Sequence, residues 1–420
     1  MPLDLPNRSC DVAVIGAGAA GLATAIFTGR SSPHLKVLLL DGARRPGAKI
    51  LISGGGRCNV TNSSVSERDF WGGRSTIVRH VLSGLPVAET VAFFGEVGVP
   101  LHEEPGGKLF PDSNRARDVL EALLREVERV HAHLLTAHRV VGISGARGGF
   151  TVDTLQGSIA ARAVVLAAGG QSLPRTGSDG AGVQLAQRLG HTIVETTPAL
   201  APLRIGRADG SFHERLSGVA HDADLTVWAD RQVLIRLRGS LLWTHFGVSG
   251  PLALNASRHW ARAALEGRAP RMTVSFCPGL RFDDADARLV AAARERPRAA
   301  APTVLAAWLP ASVAAALASE IGLPDVALAQ VPRDDRRRLS HALVEWPLAV
   351  EDTRGYNYAE ATAGGVTLGE IDPSTMESRV CPGLFLVGEV LDVDGRIGGY
   401  NFQWAWASAR AAARGLATTL

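Results

Sequence analysis

Two glycine-rich segments lie at opposite ends of this 420-residue chain. The first, residues 16–21, follows the apolar run 10–15, and the second, residues 388–401, follows the apolar run 384–387. Each run is short and, apart from Asp11, apolar throughout, as expected of a strand that is covered on both faces of a sheet. Each segment therefore predicts a buried strand that ends in a glycine-rich turn and leads into a helix. Together they predict one nucleotide site to which both ends of the chain contribute.

The first segment contains the pattern Gly16-x-Gly18-x-x-Gly21. These glycines permit a sharp turn, a close approach of the backbone to a pyrophosphate, and tight packing of the following helix on the strand. The helix would present its partially positive amino terminus to the phosphates. Asp41 lies 20 residues after Gly21, at the end of the second predicted strand, where its carboxylate can accept both ribose hydroxyls. The spacing predicts a dinucleotide; the alternative is a tight turn with a surface aspartate.

The carboxyl-terminal segment favours FAD over NAD. The apolar run 384–387 is followed by Gly388-Glu389, and residues 398–401 precede a helix predicted over 402–413. The amino terminus of that helix would stabilise negative charge on the N1/C2=O side of a reduced flavin. The spacing of residues 177–182 does not make a second fingerprint, so no separate NAD(P)H domain is predicted, although NAD(P)H can still act as a transient reductant.

Residues 47–62 form a third unusual stretch, which contains three consecutive glycines and is predicted to be a loop. The glycines allow close approach to a flat ring, and Lys49 and Arg57 supply charge for a pyrophosphate or an anionic flavin. Cys58 and Asn59 supply groups for proton transfer and hydrogen bonding. The plain alternative is a surface loop, with Cys58 as a small packing residue or a redox thiol.

His245 lies between aromatic residues in the stretch 241–251. A histidine in this setting is either a satisfied core residue or an acid/base group placed over a flavin by the turn that follows it. Both readings stay open at the level of sequence.

Composition limits the alternatives. The net charge of +3 is too small to predict nucleic-acid binding by itself. The four cysteines form no C-x-x-C pair, which argues against a metal site and is consistent with a reducing cytoplasm. No secretion signal is recognisable in residues 1–8, and no apolar run reaches the ~18 residues of a membrane helix.

The chain length predicts two or three domains. Composition changes near residues 190–200, and residues 283–342 are rich in alanine and arginine with several prolines. We therefore expect an FAD-binding domain of residues 1–190 and 346–420, interrupted by an insert of residues 191–345.

Several motifs, in order along most of the chain, resemble the BaiN-like FAD-binding flavoproteins, which are also described as aminoacetone-oxidase-like NAD(P)/FAD-dependent oxidoreductases. The matching segments are residues 53–62, 169–177, 243–251, 362–366, 376–378 and 388–403. The resemblance implies an α/β fold with a Rossmann-like FAD domain of the fumarate-reductase type, and an insert with a β-barrel and a helical part.

The resemblance also implies non-covalent FAD and a set of contacts to it. These are Gly16, Gly18, Ala20, Gly21, Asp41, Lys49, Gly56, Arg57, Cys58, the backbone at Val140, Ala168, Gly169, Gly388, Glu389, Gly399 and Asn401. Departures from the family are Asp41 in place of a common glutamate, Ala48 in place of a basic residue, and the bulky Trp404 and Trp406.

Three functions follow as expectations. The first is an oxidoreductase that moves hydride between flavin N5 and a small molecule, with Cys58 or His245 as the proton partner. The second is a reductase that makes dihydrouridine in ribosomal RNA, and the third is a flavin-binding sensor or assembly protein without turnover. The sequence predicts no membrane partner and leaves the oligomeric state open.

Overall fold

The computed structural model describes residues 9–206 and 211–420, so the amino-terminal segment considered above for a secretion signal lies outside it. The chain divides into two compact units, one made of residues up to 196 and from 360 onward, the other of residues 197–359. Both boundaries fall later in the chain than the expected 190 and 345. The second shift has a direct cause, because residues 346–353 pair into the sheet of the second unit.

Thirteen α-helices occur in the described residues. They are α1 Ala19–Ser31, α2 Ala48–Gly56, α3 Ser75–Ser83, α4 Val87–Glu96, α5 Ala116–Arg129, α6 Ala181–Arg188, α7 Phe212–Arg215, α8 Gly250–Leu265, α9 Phe282–Glu295, α10 Ala301–Leu305, α11 Ala311–Glu320, α12 Arg333–Val344 and α13 Tyr400–Thr419.

The same residues contain 21 strands. They are β1 Ser9–Ile15, β2 Val37–Leu40, β3 Thr61–Asn62, β4 Phe70–Gly72, β5 Leu101–Glu104, β6 Lys108–Pro111, β7 His133–Leu135, β8 Val140–Ala146, β9 Gly149–Thr154, β10 Gly157–Leu166, β11 Ile193–Ala199, β12 Leu203–Ile205, β13 Ala220–Ala229, β14 Gln232–Thr244, β15 Gly247–Ser249, β16 Arg271–Ser275, β17 Trp346–Leu348, β18 Val350–Thr353, β19 Ala361–Val366, β20 Leu384–Leu386 and β21 Val393–Gly395.

The main sheet of the first unit confirms the predicted β-α-β unit. Strands β7, β2, β1, β10 and β20 lie side by side and run parallel, while β9 and β8 extend the sheet antiparallel from β10. The apolar side chains of β1 and β2 are buried, as expected for central strands covered by helices on both faces. Residues 48–52, predicted to be loop, are instead helical; α2 loses helical geometry at Ser53, Gly54 and Gly55.

Helix α13 packs along α1, and both helices are rich in alanine and glycine, which lets their axes approach closely. Trp404 and Trp406, the bulky departures from the family, are almost completely buried. The indole nitrogen of Trp404 donates to the Gly388 carbonyl at 3.1 Å, and that of Trp406 donates to the Val60 carbonyl at 2.9 Å. These bonds satisfy the polar edge of each ring. The first joins α13 to the turn after β20, and the second joins it to the residue before β3.

Strands β11 and β19 form a small separate sheet next to the point where the chain leaves the first unit. Gly364 of β19 has a left-handed φ of 91°, and a Cβ there would lie 2.5 Å from the carbonyl oxygen of Glu195. Glycine at this position therefore allows the backbones on either side of the insertion to lie in direct contact.

The second unit contains a seven-stranded antiparallel sheet in the order β17-β16-β13-β14-β15-β12-β18. Its two edge strands are separated along the chain by Ala349 alone, so one segment completes both edges and the sheet closes as a barrel. Helices α9–α12 form the helical part of this unit. The expected insert with a β-barrel and helices is confirmed.

One stretch of the described residues, Ser75–Glu96, is long and apolar enough to span a membrane by length and composition. The apolar runs of the sequence alone did not predict this stretch. The structure divides it into α3 and α4 around Gly84–Pro86, and proline at this position interrupts a helix. Two short helices joined by a break are weak support for a membrane span.

Candidate functional site

The carboxyl ends of four neighbouring parallel strands lie at one level. Ile15 of β1 pairs in register with Leu40 of β2 and Leu166 of β10, and Leu166 pairs with Leu386 of β20. The residues that follow these four positions therefore emerge side by side. Ligands of open α/β sheets bind at this edge, and the predicted site residues of the first unit are concentrated there.

The glycine-rich turn after β1 divides into two packed positions and one open position. Gly16 has a left-handed φ of 101°, and a Cβ there would lie 2.6 Å from the Ala167 carbonyl oxygen. A Cβ on Gly21 would overlap the carbonyl oxygen of Gly16, whereas a Cβ on Gly18 would meet no atom within 4 Å. The structure thus requires glycine at positions 16 and 21 for its own packing and leaves free space beside Gly18 at the amino terminus of α1.

Asp41 lies next to this turn. Its carboxylate accepts hydrogen bonds from the backbone N–H groups of Ala17 and Ala43, each at 2.7 Å. These bonds hold both oxygens at the junction of the glycine-rich turn and the end of β2. The predicted ribose contact stays a prediction, and the position of the carboxylate is compatible with it.

A network of four residues joins distant parts of the chain. Glu389, in the turn after β20, pairs with Lys49 of α2 at 2.6 Å and accepts a hydrogen bond from the Ser172 hydroxyl at 2.7 Å. Lys49 also donates to Ser172, and the Thr362 N–H donates to Glu389 at 2.8 Å. The Glu389 side chain is 18% exposed, so the ion pair is only partly shielded from water.

Ser172 and Thr362 were not predicted as site residues, although both lie in the segments that resemble the family. Both are fully buried. The Thr362 hydroxyl oxygen accepts the backbone N–H groups of Gln171 and Ser172 at 2.8 and 3.1 Å. Thr362 therefore fixes the loop that carries Ser172, and Ser172 in turn orients Glu389.

The turn that begins α13 is also built around glycine. Gly398 and Gly399 have left-handed φ angles of 120° and 95°, and a Cβ on Gly399 would overlap the backbone of Thr61. Asn401, a predicted cofactor contact, forms two hydrogen bonds with Gly395 through its side-chain amide. The amide oxygen accepts from the Gly395 N–H at 2.8 Å, and the amide nitrogen donates to the Gly395 carbonyl at 3.1 Å. The structure thus gives the Asn401 side chain a role in shaping the turn.

The non-helical carboxyl-terminal part of α2 exposes Gly54, Gly55 and Gly56, all with left-handed φ. Arg57 follows them and stacks its guanidinium 4.0 Å from the centre of the Phe110 ring. It also pairs with Glu104, at 2.6 Å. Its charge is therefore matched within its own unit, while the three glycines stay accessible.

Cys58 does not lie at the surface of this segment. Its side chain has no exposed area, and burial raises the pKa of its thiol to about 12. The thiol stays protonated at neutral pH, and a buried position favours packing over contact with a substrate. Its φ of 62° is unusual for a residue other than glycine.

The other predicted residues divide between core and surface. Ala20 packs against the turn after β20, because a Cβ on Gly388 would lie 2.8 Å from its Cβ. Val140 is buried at the start of β8, and Ala168 and Gly169 follow β10 at the strand-end edge. His245, in the second unit, is exposed in the two-residue turn between β14 and β15.

No group of His, Cys, Asp or Glu in the described residues is arranged to hold a metal ion.

Residues 10–415 match the family model described as the HI0933-like protein Rossmann domain. The chain belongs to this family. It is 34% identical over 410 residues to the 3-dehydro-bile acid delta(4,6)-reductase of Clostridium scindens, a match that covers 97% of this chain and 98% of that protein. It is 32% identical over 406 residues to the ribosomal RNA dihydrouridine synthase of Escherichia coli, again over 97% and 98%. These matches confirm the predicted family and the prediction that the protein is an oxidoreductase.

Solved structures confirm the predicted fold class. The 3-ketosteroid delta1-dehydrogenase of Sterolibacterium denitrificans superimposes with a TM-score of 0.52 at 14% identity, covering 99% of this chain and 100% of that chain. Quinol fumarate reductase of E. coli superimposes with a TM-score of 0.51 at 16% identity, covering 98% and 70%. At these identities the likeness concerns the fold.

The glycine-rich turn gives a matched pair of variants. Gly21→Ala places a methyl group on the Gly16 carbonyl, and we expect destabilisation by about 3 kcal/mol or more or a failure to fold. Gly18→Ala fills only open space, so we expect an unfolding midpoint close to that of the wild type and about a tenfold or greater loss of FAD affinity, measured by fluorescence titration. Undiminished FAD binding by Gly18→Ala would place the pyrophosphate elsewhere.

Lys49→Met tests the network around Glu389. The substitution leaves a partly buried carboxylate without its cation, and we expect a loss of about 1–3 kcal/mol in the unfolding free energy of the FAD-free protein by urea titration. Lys36→Met removes an exposed lysine at the other end of β2 and should change stability by less than about 0.5 kcal/mol. Equal losses in the two variants would mean that the Lys49–Glu389 pair contributes nothing specific.

Proposed function

We propose that this protein is an FAD-dependent oxidoreductase that binds FAD non-covalently and exchanges a hydride between flavin N5 and a small-molecule substrate. The observation that carries the proposal is the open space at Gly18, beside the amino terminus of α1, at an edge where four strand ends lie in register. An anionic pyrophosphate fits this space, because the N–H groups of the first helical turn are directed toward it.

The remaining parts of FAD find suitable residues at the same edge. Asp41 would bind the adenosine ribose, and the left-handed glycines 54–56 would allow a flat ring to approach the backbone. The amino terminus of α13 would face the pyrimidine side of that ring. When bound, FAD supplies hydride transfer at N5. The paired Lys49 and Glu389 would hold α2 and the turn after β20 in place around it.

A small molecule with a conjugated double bond is the favoured substrate class. The Clostridium scindens relative is named for reduction of a bile acid, and it aligns over almost all of both chains. The net charge of +3 offers little general attraction for RNA. Reduction of a uridine in ribosomal RNA is the second candidate, supported by the name of the Escherichia coli relative at nearly the same identity. A sensor without turnover is not proposed, since the two relatives described above are named as enzymes.

An anaerobic visible spectrum of the purified protein tests the proposal. We expect the absorption bands of about one equivalent of bound FAD. NADPH or NADH should bleach these bands, and a 3-oxo steroid with conjugated double bonds should restore them. Restoration by a uridine-containing ribosomal RNA fragment instead, with a steep dependence on salt, would establish the second candidate. Absence of FAD together with failure to bind added FAD would contradict both.

Two variants decide the proton partner. His245 is exposed and Cys58 is fully buried, so we assign proton transfer to the imidazole and packing to the thiol. We expect His245→Asn to retain FAD and to lower turnover by about 100-fold, within the range for general acid catalysis. Cys58→Ser should retain FAD and change turnover by less than about threefold. Loss of turnover in Cys58→Ser with FAD still bound would transfer the role to the thiol.

A further inference from the structure

The chain has only three lysines, and they occupy three different electrostatic settings. Lys36 is exposed at the amino end of β2, away from the strand-end edge. Lys49 is neutralised by Glu389 at 2.6 Å. Lys108, at the start of β6, is half-buried and makes no hydrogen bond or ion pair through its ammonium group with residues 9–206 or 211–420. Its ammonium group is therefore not engaged in an ion pair at contact distance with any described residue.

The strand pairing explains why Lys108 forms no ion pair with the carboxylate beside it in the sheet. Its neighbour across the β5–β6 pair is Glu104, the nearest carboxylate by register. Both oxygens of Glu104 are occupied by the Arg57 guanidinium, at 2.6 and 3.3 Å, and Arg57 is itself fixed against Phe110. The carboxylate that would neutralise Lys108 is thus committed to another cation.

Lys108 lies beside the turn that begins α13. On its other side it pairs with Asn62 of β3, and the Asn62 amide donates to the Gly398 carbonyl at 3.1 Å. A Cβ on Gly398 would lie 3.8 Å from Cγ of Lys108. The stem of the lysine therefore passes along the glycine pair that precedes the helix.

A second observation shows where the ammonium charge acts. Glu360 directly precedes β19, and part of its surface is exposed to solvent. Desolvation by neighbouring atoms raises the pKa of its carboxyl group, whereas the positive charges of Lys49 and Lys108 lower it. Both lysines therefore lie near the same carboxylate. Because Lys49 belongs to the candidate site and the stem of Lys108 passes along Gly398, Lys108 lies close to that site.

The amino terminus of α13 adds positive potential at the same place. This helix is 20 residues long and has no acidic residue in its first turn. A helix terminus and a free ammonium group at one glycine turn favour a negatively charged group there. A flavin that takes up two electrons develops such a charge along its N1–C2=O edge.

We propose that Lys108 places its ammonium group against the N1–C2=O edge of the flavin and, with the α13 amino terminus, stabilises the reduced state. This inference rests on the proposed function and adds to it a residue that raises the flavin reduction potential. Lys49 contributes less, because Glu389 cancels its charge.

The test compares Lys108→Met, Lys108→Arg and Lys36→Met as FAD-loaded full-length proteins. FAD stoichiometry is measured first, and then the ratio of oxidised to reduced flavin at equilibrium with a reference dye. We expect Lys108→Met to shift this ratio at least about tenfold toward oxidised flavin, as expected when an opposite charge within about 4–6 Å is removed. Tenfold corresponds to about 30 mV for a two-electron couple. Lys108→Arg should stay within about threefold of the wild type, and Lys36→Met within about twofold.

Each other outcome has a distinct meaning. A Lys108→Met protein that holds FAD and keeps the wild-type ratio would overturn the inference and leave the proposed function intact. Equal shifts in Lys108→Met and Lys36→Met would also overturn it, since they would reflect net charge alone. Failure of the wild-type protein to hold FAD would overturn the proposed function and the inference together. If Lys108→Met does not hold FAD, Lys108→Gln replaces it under the same criteria.

Discussion

The register of four parallel strands is the constraint on which the rest of the first unit depends. Because Ile15, Leu40, Leu166 and Leu386 end at one level, a glycine turn, an aspartate, a small-residue loop and a glutamate emerge together at one edge. The buried faces of these strands hold the register, since a slip by one residue would move apolar side chains away from the core. The site is therefore a consequence of core packing, and each of its polar groups depends on strands that carry no chemistry themselves.

Polar groups at this edge are mostly occupied by other protein groups before any ligand arrives. Asp41 accepts two backbone N–H groups, Arg57 is paired with Glu104, and Glu389 receives three donors. Such matching avoids the free-energy cost of unpaired polar groups near a partly buried surface. It also makes the few unmatched features informative, namely the space at Gly18 and the ammonium group of Lys108.

Much of the fold could be predicted because its signals are local. The glycine spacing and the apolar runs located β1, α1 and β2 to within about a residue, and the change in composition indicated the insertion. The start of α13 was located to within two residues, but the helix continues to Thr419, beyond the predicted end at 413. The helix at residues 48–52 was missed because the glycines that follow it dominate the local pattern. The boundary near 345 was placed too early because membership of residues 346–353 in the barrel depends on pairing with distant strands, which no local pattern shows.

The sequence predicted where the residues of the candidate site lie better than it predicted what their side chains do. Cys58 and Asn401 lie in the expected segments, but the burial of the thiol and the bonds of the amide to Gly395 depend on side-chain directions in the folded chain. Ser172 and Thr362 act through long-range hydrogen bonds, and their residue types alone gave no reason to select them. Lys108 could have been noticed from the rarity of lysine, yet the pairing of its strand neighbour Glu104 with Arg57 is visible only in the folded structure.

The contact between Gly364 and Glu195 has a consequence for how such a protein can diversify. The chain leaves the first unit and re-enters it at two backbones that touch, so the nucleotide-binding unit needs no particular length or shape of polypeptide between them. Insertions are tolerated where the flanking ends are close together. A single nucleotide-binding scaffold can thus receive inserted units of different length and architecture without altering its own strand order.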